Sequence, residues 1–297
     1  MTHMTLGMTL GMIFGIIFQP LQYDFMRNAY VAGTIVAIVS GIVGFFVVLR
    51  GLSFAAHALS HIGFAGATAA VVLGVEPLFG LLAFTVAAGL TMGRLGERLR
   101  GRDVAIGIVL AFSLGLGALF LSLYTRYATQ AYNILFGTIL GVSQADVVIS
   151  LALGLVVVGT LAVLFRPLLF ASIEPEVAAA RGVPVQALST VFFVVVAVAV
   201  AEAVQVVGVL LIFTLLVAPA ATAGYLARRP SWAIAIGTAL AIVETWLGIS
   251  MAYYTQYPVS FYIATLGFLF YLLARLAGPS LAGRRSQATY IPSQNPS

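Results

Sequence analysis

The stretch Val147-Val-Ile-Ser-Leu-Ala-Leu-Gly-Leu-Val-Val-Val-Gly-Thr-Leu-Ala-Val-Leu-Phe165 carries no charge and is bracketed by Asp146 and Arg166. A helix crossing a bilayer needs about 20 apolar residues in a row, whereas a membrane-barrel strand shows a shorter alternating pattern. This run does not alternate, so it reads as a transmembrane helix. Similar runs recur along the chain, at about 28–49, 53–73, 77–95, 104–124, 146–165, 185–204, 206–226, 232–253 and 259–276. Residues 4–18 form a further apolar stretch of marginal length, which crosses the membrane or lies in its interface. Residues 132–141 read as a short helix ahead of the fifth span. The expected fold is therefore all-α, a polytopic bundle of about 8–10 spans filling a single domain over 1–281. The polar tail 282–297, rich in Ser, Gln, Asn and Pro, reads as disordered.

Composition agrees. The chain has 297 residues, 62% of them hydrophobic and only 8% charged, against about 25% charged in a soluble domain. There is no cysteine, which excludes disulfides, thiolate metal sites and thiol catalysis. All 14 basic residues are arginine. Without a lysine the chain cannot build a GxxxxGK[ST] phosphate loop or a Schiff base. If ATP is used, another chain binds it.

The net charge of +5 is a topology signal rather than a nucleic-acid footprint. Twelve arginines, from Arg50 to Arg285, fall on one side of the span layout, and only Arg27 and Arg126 on the other. The positive-inside rule makes the first side cytoplasmic, with the C-terminus. The N-terminus lacks a basic region and a small-residue cleavage site, so no cleaved signal peptide is expected.

Chemistry concentrates in a few positions. His57 and His61 lie one helical turn apart in a span dense with small residues, including Ala55, Ala56, Ala58, Gly63 and Gly66. Small residues let helices approach closely, which puts this span at the centre of the bundle. A neutral imidazole is a ligand for divalent transition metals. The pair either meets a cation or hydrogen-bonds neighbouring helices to fix packing. Glu202 lies at the outer end of its span, just before a very tight connection. It either completes or guards a cation site, or is an interfacial charge in water. Glu244 falls near mid-membrane, facing the bundle interior or pairing with a hydroxyl. Asp24, Glu76 and Asp146 sit near outer span ends and read as solvated charges, which would also make an entrance there attractive to cations.

The segment Ala171-Ser-Ile-Glu-Pro-Glu-Val-Ala-Ala-Ala-Arg-Gly-Val-Pro184 reads as one short cytoplasmic helix. Pro175 suits its first position, Gly182 the residue after its end and Pro184 a stop. Glu174 and Glu176 favour the positive end of its dipole and Arg181 the negative end. So short a helix is unstable alone, so it must dock on something. Pro219 interrupts the backbone ladder of another span beside Ala220, Ala221, Ala223 and Gly224.

Taken in order, Gly44-Phe-Phe-Val-Val-Leu-Arg50, Ala58-Leu-Ser-His61, Asp103-Val-Ala-Ile-Gly107, Leu135-Phe-Gly137, Glu174 to Gly182, and Val207-Gly208-Val-Leu through Pro219-Ala-Ala-Thr-Ala223 resemble the membrane permease of metal-ion ABC importers, the zinc, manganese and iron family. The likeness runs from about Leu21 to Leu276. It implies a type II-like permease homodimer in the cell membrane, served by cytoplasmic ATPase subunits that hold ATP and Mg²⁺ and by an extracytoplasmic metal-binding protein. It implies that residues 174–182, with Glu174, Glu176, Arg181 and Gly182, are the coupling helix to the ATPase. It makes His57 and His61 transient ligands of the transported metal, with Glu202 a third candidate. The family commonly has Asp where this chain has His57. That exchange softens the site toward zinc or iron(II) and away from manganese.

Other classes fit less well. A permease for a chelate such as haem or a siderophore keeps the architecture and demotes the histidines to packing. A proton-driven transporter needs Glu202 and Glu244 as relays. An intramembrane metalloprotease needs HExxH, and no glutamate follows His57; a serine protease needs a nucleophile facing its base, whereas Ser60 and His61 point apart on a helix.

Overall fold

The computed structural model describes residues 19–95, 102–123, 134–255 and 257–277. Residues 4–18, 132–133 and the 282–297 tail, on which expectations were placed above, lie outside them. Among the described residues all regular structure is helical. Nine long apolar helices are α1 (Asp24–Leu49), α2 (Ser53–Val72), α3 (Pro77–Leu95), α4 (Arg102–Ser122), α5 (Gln144–Ile173), α7 (Val185–Val207), α8 (Val209–Leu226), α9 (Pro230–Tyr254) and α10 (Val259–Ala277), each long and apolar enough to cross a membrane. The short α6 (Pro175–Ala180) sits between α5 and α7.

Local chemistry starts and stops these helices. Proline occupies the first position of α3, α6 and α9, where its missing N–H is no loss. A capping box opens α5: the Asp146 backbone N–H donates to Ser143 Oγ at 3.2 Å and the Ser143 N–H donates back to Asp146 Oδ2 at 3.0 Å. The 132–141 segment is not one helix in its described part: residues 134–136 are helical and a separate 3-10 turn covers Ile139–Gly141.

The fifth span runs further than its sequence suggests. Arg166 and Pro167 read as its end, yet α5 continues to Ile173 with Pro167 inside it. Packing supplies the reason. Leu168 is fully buried, and Ala171 packs with Ala178 and Leu188 in a small apolar cluster. A proline removes one ladder bond, and tertiary contacts beyond it hold the next turns in place. Residues 171–173 therefore belong to α5, and α6 begins at Pro175.

The most buried helices are α1, α2 and α7, while α4, α5 and α10 expose apolar faces. Helix α1 packs against α5, α7, α8 and α9, and α2 against α3, α4, α7 and α8. At the α2–α3 crossing Gly66 and Gly80 face each other so closely that a Cβ on either would strike the other's carbonyl. Inside a bilayer there is no water to expel from between helices, so close backbone approach and packing supply much of their association.

Candidate metal site

The α2 helix begins at Ser53, so His57 and His61 stand in its first two turns. Their rings meet edge to face with centroids 4.6 Å apart. Phe213 of α8 caps the pair, 4.9 Å from the His57 ring centroid. Ser60 donates its hydroxyl to the His57 backbone carbonyl at 2.7 Å, so it is occupied along the helix and does not face His61. The Nδ1 atoms of both histidines are buried and have no hydrogen-bond partner. Neither Nδ1 therefore ties the pair to a neighbouring helix by a hydrogen bond. What the geometry offers is two ring nitrogens one helical turn apart.

Glu202 is placed elsewhere. It is 1% exposed, so an interfacial charge in water is not what the structure shows. Ser150 of α5 donates to its Oε1 at 2.8 Å, and Oε2 is buried without a partner. Gly154 of α5 lies beside it: a Cβ there would stand 3.7 Å from Oε1, an ordinary van der Waals distance. Among the described residues no three His, Asp or Glu side chains gather closely enough to hold a metal, so Glu202 does not join the histidines. Glu244 of α9 is fully buried, facing inward, with neither carboxylate oxygen hydrogen-bonded; it lies against Gly267 of α10 and does not pair with a hydroxyl.

At the end of the bundle away from Arg50, Arg94 and Arg181, a cavity of about 240 Å³ opens between α2, α3, α5 and α7, with Glu76, Thr138, Asp146 and Gln205 in its wall. Gln205 Nε2 donates to Asp146 Oδ1 at 3.2 Å. Gln205 escaped the sequence reading; three residues after Glu202 it shares a helix face with it, which was the available signal. Nothing local to Phe213 or Ser150 marked them, because their roles are set by other helices.

Helix α6 is pinned by one residue and open around it. Ala178 is fully buried, while Glu174, Glu176, Val177, Arg181 and Gly182 are exposed. Glu174 is the N-cap, Arg181 the C-cap, and Gly182 takes φ +81° to reverse the chain.

The profile of the ABC 3 transport family matches residues 22–278, which include all nine long helices. The chain belongs to the ABC 3 transport family. Among its relatives, the Listeria monocytogenes manganese transport system membrane protein MntC is 31% identical over 234 residues, 78% of this chain and 83% of that one. The manganese import system permease protein ScaB of Streptococcus parasanguinis is 30% identical over 260 residues, 87% and 92% of the two chains. The solved PsaBC complex from Streptococcus pneumoniae superposes with a TM-score of 0.80 at 28% identity, covering 93% of this chain and 99% of that one. An inward-facing metal-chelate type ABC transporter shares the fold, with a TM-score of 0.68 at 16% identity. ABC 3 membership gives the type II-like permease architecture expected from the ordered motifs. These relatives are named as membrane or permease proteins of transport systems.

Proposed function

We propose that this chain is the permease subunit of an ATP-driven importer of a divalent metal ion, and that the ion passes the level of His57 and His61 between two copies of the chain. The two buried, unpartnered Nδ1 atoms on one face of a central helix carry this assignment. Two nitrogens bind weakly enough to release an ion in transit, with waters or the second copy's ligands completing the shell. A separate cytoplasmic ATPase holds ATP and Mg²⁺ and docks on α6 through Glu174, Glu176, Arg181 and Gly182. An extracytoplasmic binding protein delivers the metal at the opposite face. The C-terminus is cytoplasmic, following the arginine asymmetry. The relatives named as manganese systems support manganese as the cargo, and the His57–His61 pair makes zinc and iron(II) strong competitors.

The test is ATP-dependent uptake into liposomes holding this chain with its ATPase, supplied with binding protein and Mn²⁺, Zn²⁺ or Fe²⁺. Uptake by the parent that falls at least about tenfold in His57→Ala/His61→Ala, with assembly intact, fits the proposal. Uptake unchanged in that variant removes the histidines from the path. An assembled parent that hydrolyses ATP and moves no free metal points to a chelate instead.

A further inference from the structure

On the outer flank of the bundle α1 and α9 leave a groove of about 360 Å³ whose wall includes Arg27, Tyr30, Val31, Thr34, Ile35 and Trp246. Its polar groups are already satisfied inside the protein. Trp246 Nε1 donates to Thr34 Oγ1 at 2.8 Å, Thr34 Oγ1 donates to the Tyr30 carbonyl at 2.6 Å, and the Tyr30 hydroxyl is 2.6 Å from Ser250 Oγ. Tyr30 and Trp246 also lock edge to face, with centroids 5.5 Å apart. What the groove presents to an occupant is rigid hydrocarbon and aromatic wall, with a guanidinium at one end.

That end lies at a membrane interface. Tyr23, Phe25, Tyr253 and Tyr254 crowd there, with Tyr23 6.1 Å from Tyr253, and Tyr23 and Tyr254 about half exposed. Aromatic clusters of this kind mark headgroup level. From Arg27 to Ile35 the groove descends eight residues of helix, about 12 Å, into the hydrocarbon. The guanidinium is not alone: Asp24 stands 3.4 Å from Arg27 Nη1 and one turn further out, with its side chain 95% exposed.

We infer that this groove holds one acyl chain of an amine-bearing zwitterionic phospholipid, its phosphate on Arg27 and its ammonium on Asp24. The order of charges decides the headgroup. Going outward, the protein presents plus and then minus, and phosphoethanolamine presents minus and then plus. An anionic headgroup satisfies Arg27 but meets the Asp24 carboxylate with like charge. A choline headgroup brings its cation without N–H donors for that carboxylate. The wall, with no free polar atom among the bonds above, suits an acyl chain.

Trp246 reports on the groove directly. The chain has two tryptophans, and Trp232→Phe removes the other, which is exposed at the far end of α9. The assembled transporter bearing this change is placed in vesicles with acyl-brominated phosphatidylethanolamine, phosphatidylglycerol or phosphatidylcholine, each titrated against its unbrominated form in the same host mixture. Brominated chains quench a tryptophan they touch. The expected result is half-quenching of Trp246 by the ethanolamine lipid at about threefold lower mole fraction than by the other two, the scale of an exposed ion pair. Arg27→Gln and Asp24→Asn, both on the exposed rim, should each erase that preference and leave basal quenching. Equal quenching by all three lipids in the parent overturns the inference and leaves bulk lipid contact only. So does a preference that survives both rim variants. Absence of quenching by any lipid also overturns it, since a protein surface, such as a second copy, then covers the groove.

Discussion

Gly137 and Gly208 face one another backbone to backbone. A Cβ on Gly137 would stand 2.6 Å from the Gly208 nitrogen, and one on Gly208 would stand 2.6 Å from the Leu135 carbonyl oxygen. Gly208 is the sole residue between α7 and α8, and it takes φ 85° and ψ 165°, a region that only glycine enters readily. Two stretches far apart in sequence, Leu135-Phe-Gly137 and Val207-Gly208, thus form one joint. It fixes the α7–α8 hairpin that presents Phe213 to His57. Gly208→Ala should cost about 1–3 kcal/mol in backbone strain and a similar amount in overpacking. Gly137→Ala should cost about as much, and the double variant less than the sum, because the two act on one contact. Thermal melts of the purified complex check this. An unshifted melting temperature for Gly208→Ala would show that the joint is looser than it stands here.

Exchanging His57 for Asp replaces a neutral nitrogen with an anionic oxygen in the proposed path. Manganese uptake should rise relative to zinc uptake, since harder ligands favour the harder ion. Uptake in the parent should also fall in acid, because an imidazole must be neutral to ligate. In His57→Asp/His61→Ala much of that acid sensitivity should vanish. Competition uptake with labelled Mn²⁺ against Zn²⁺ across pH reads both effects. A ratio unmoved by His57→Asp would place selectivity elsewhere.

Glu202 and Ser150 hold α7 to α5 through one buried bond. Ser150→Ala leaves a carboxylate oxygen unsatisfied and should destabilise by about 1–3 kcal/mol. Glu202→Gln keeps the acceptor, so it should melt close to the parent and retain uptake. Loss of uptake in a well-folded Glu202→Gln would put this carboxyl back on the ion path.

The spans were legible because a bilayer helix is written locally, in a run of about 20 apolar residues. The histidine pair was legible for the same reason: i and i+4 share a face whatever surrounds them. The overrun of α5 past Pro167 was not, since the contacts of Ala171 beyond it come from Ala178 of α6 and Leu188 of α7. Nor was the burial of Glu202, because a carboxylate near a span end reads equally as a cation-site group or as a solvated charge until Ser150 of another helix is seen bonded to it. The Gly137–Gly208 joint left only two isolated glycines in the sequence, and spacing alone does not bring them together.

Val177 is an exposed apolar residue on α6, flanked by exposed Glu174, Glu176 and Arg181, while Ala178 behind it anchors the helix. If α6 docks into the ATPase, Val177 is the group that leaves water. Val177→Asp should then abolish copurification with the ATPase and metal-dependent ATP hydrolysis. The isolated chain should keep its melting temperature, since an exposed substitution changes stability by about 0.5 kcal/mol or less. An assembled, fully coupled Val177→Asp complex would remove α6 from the docking surface.

Glu244 is fully buried between α9 and α10 with both oxygens unpartnered. A polar group in that position opposes folding, because its desolvation is not repaid by a hydrogen bond. An apolar residue of similar length should therefore stabilise the bundle. Glu244→Met keeps the volume beside Gly267 and should raise stability by about 1–3 kcal/mol, read as a higher melting temperature in detergent. The uptake assay then separates two roles. Unchanged uptake in the stabilised variant makes Glu244 dispensable, whereas lost uptake in a protein that melts higher means the carboxyl is kept for transport at the expense of stability. A lower melting temperature would show that Glu244 has a partner in the assembled protein, and that the prediction of a stabilising exchange is wrong.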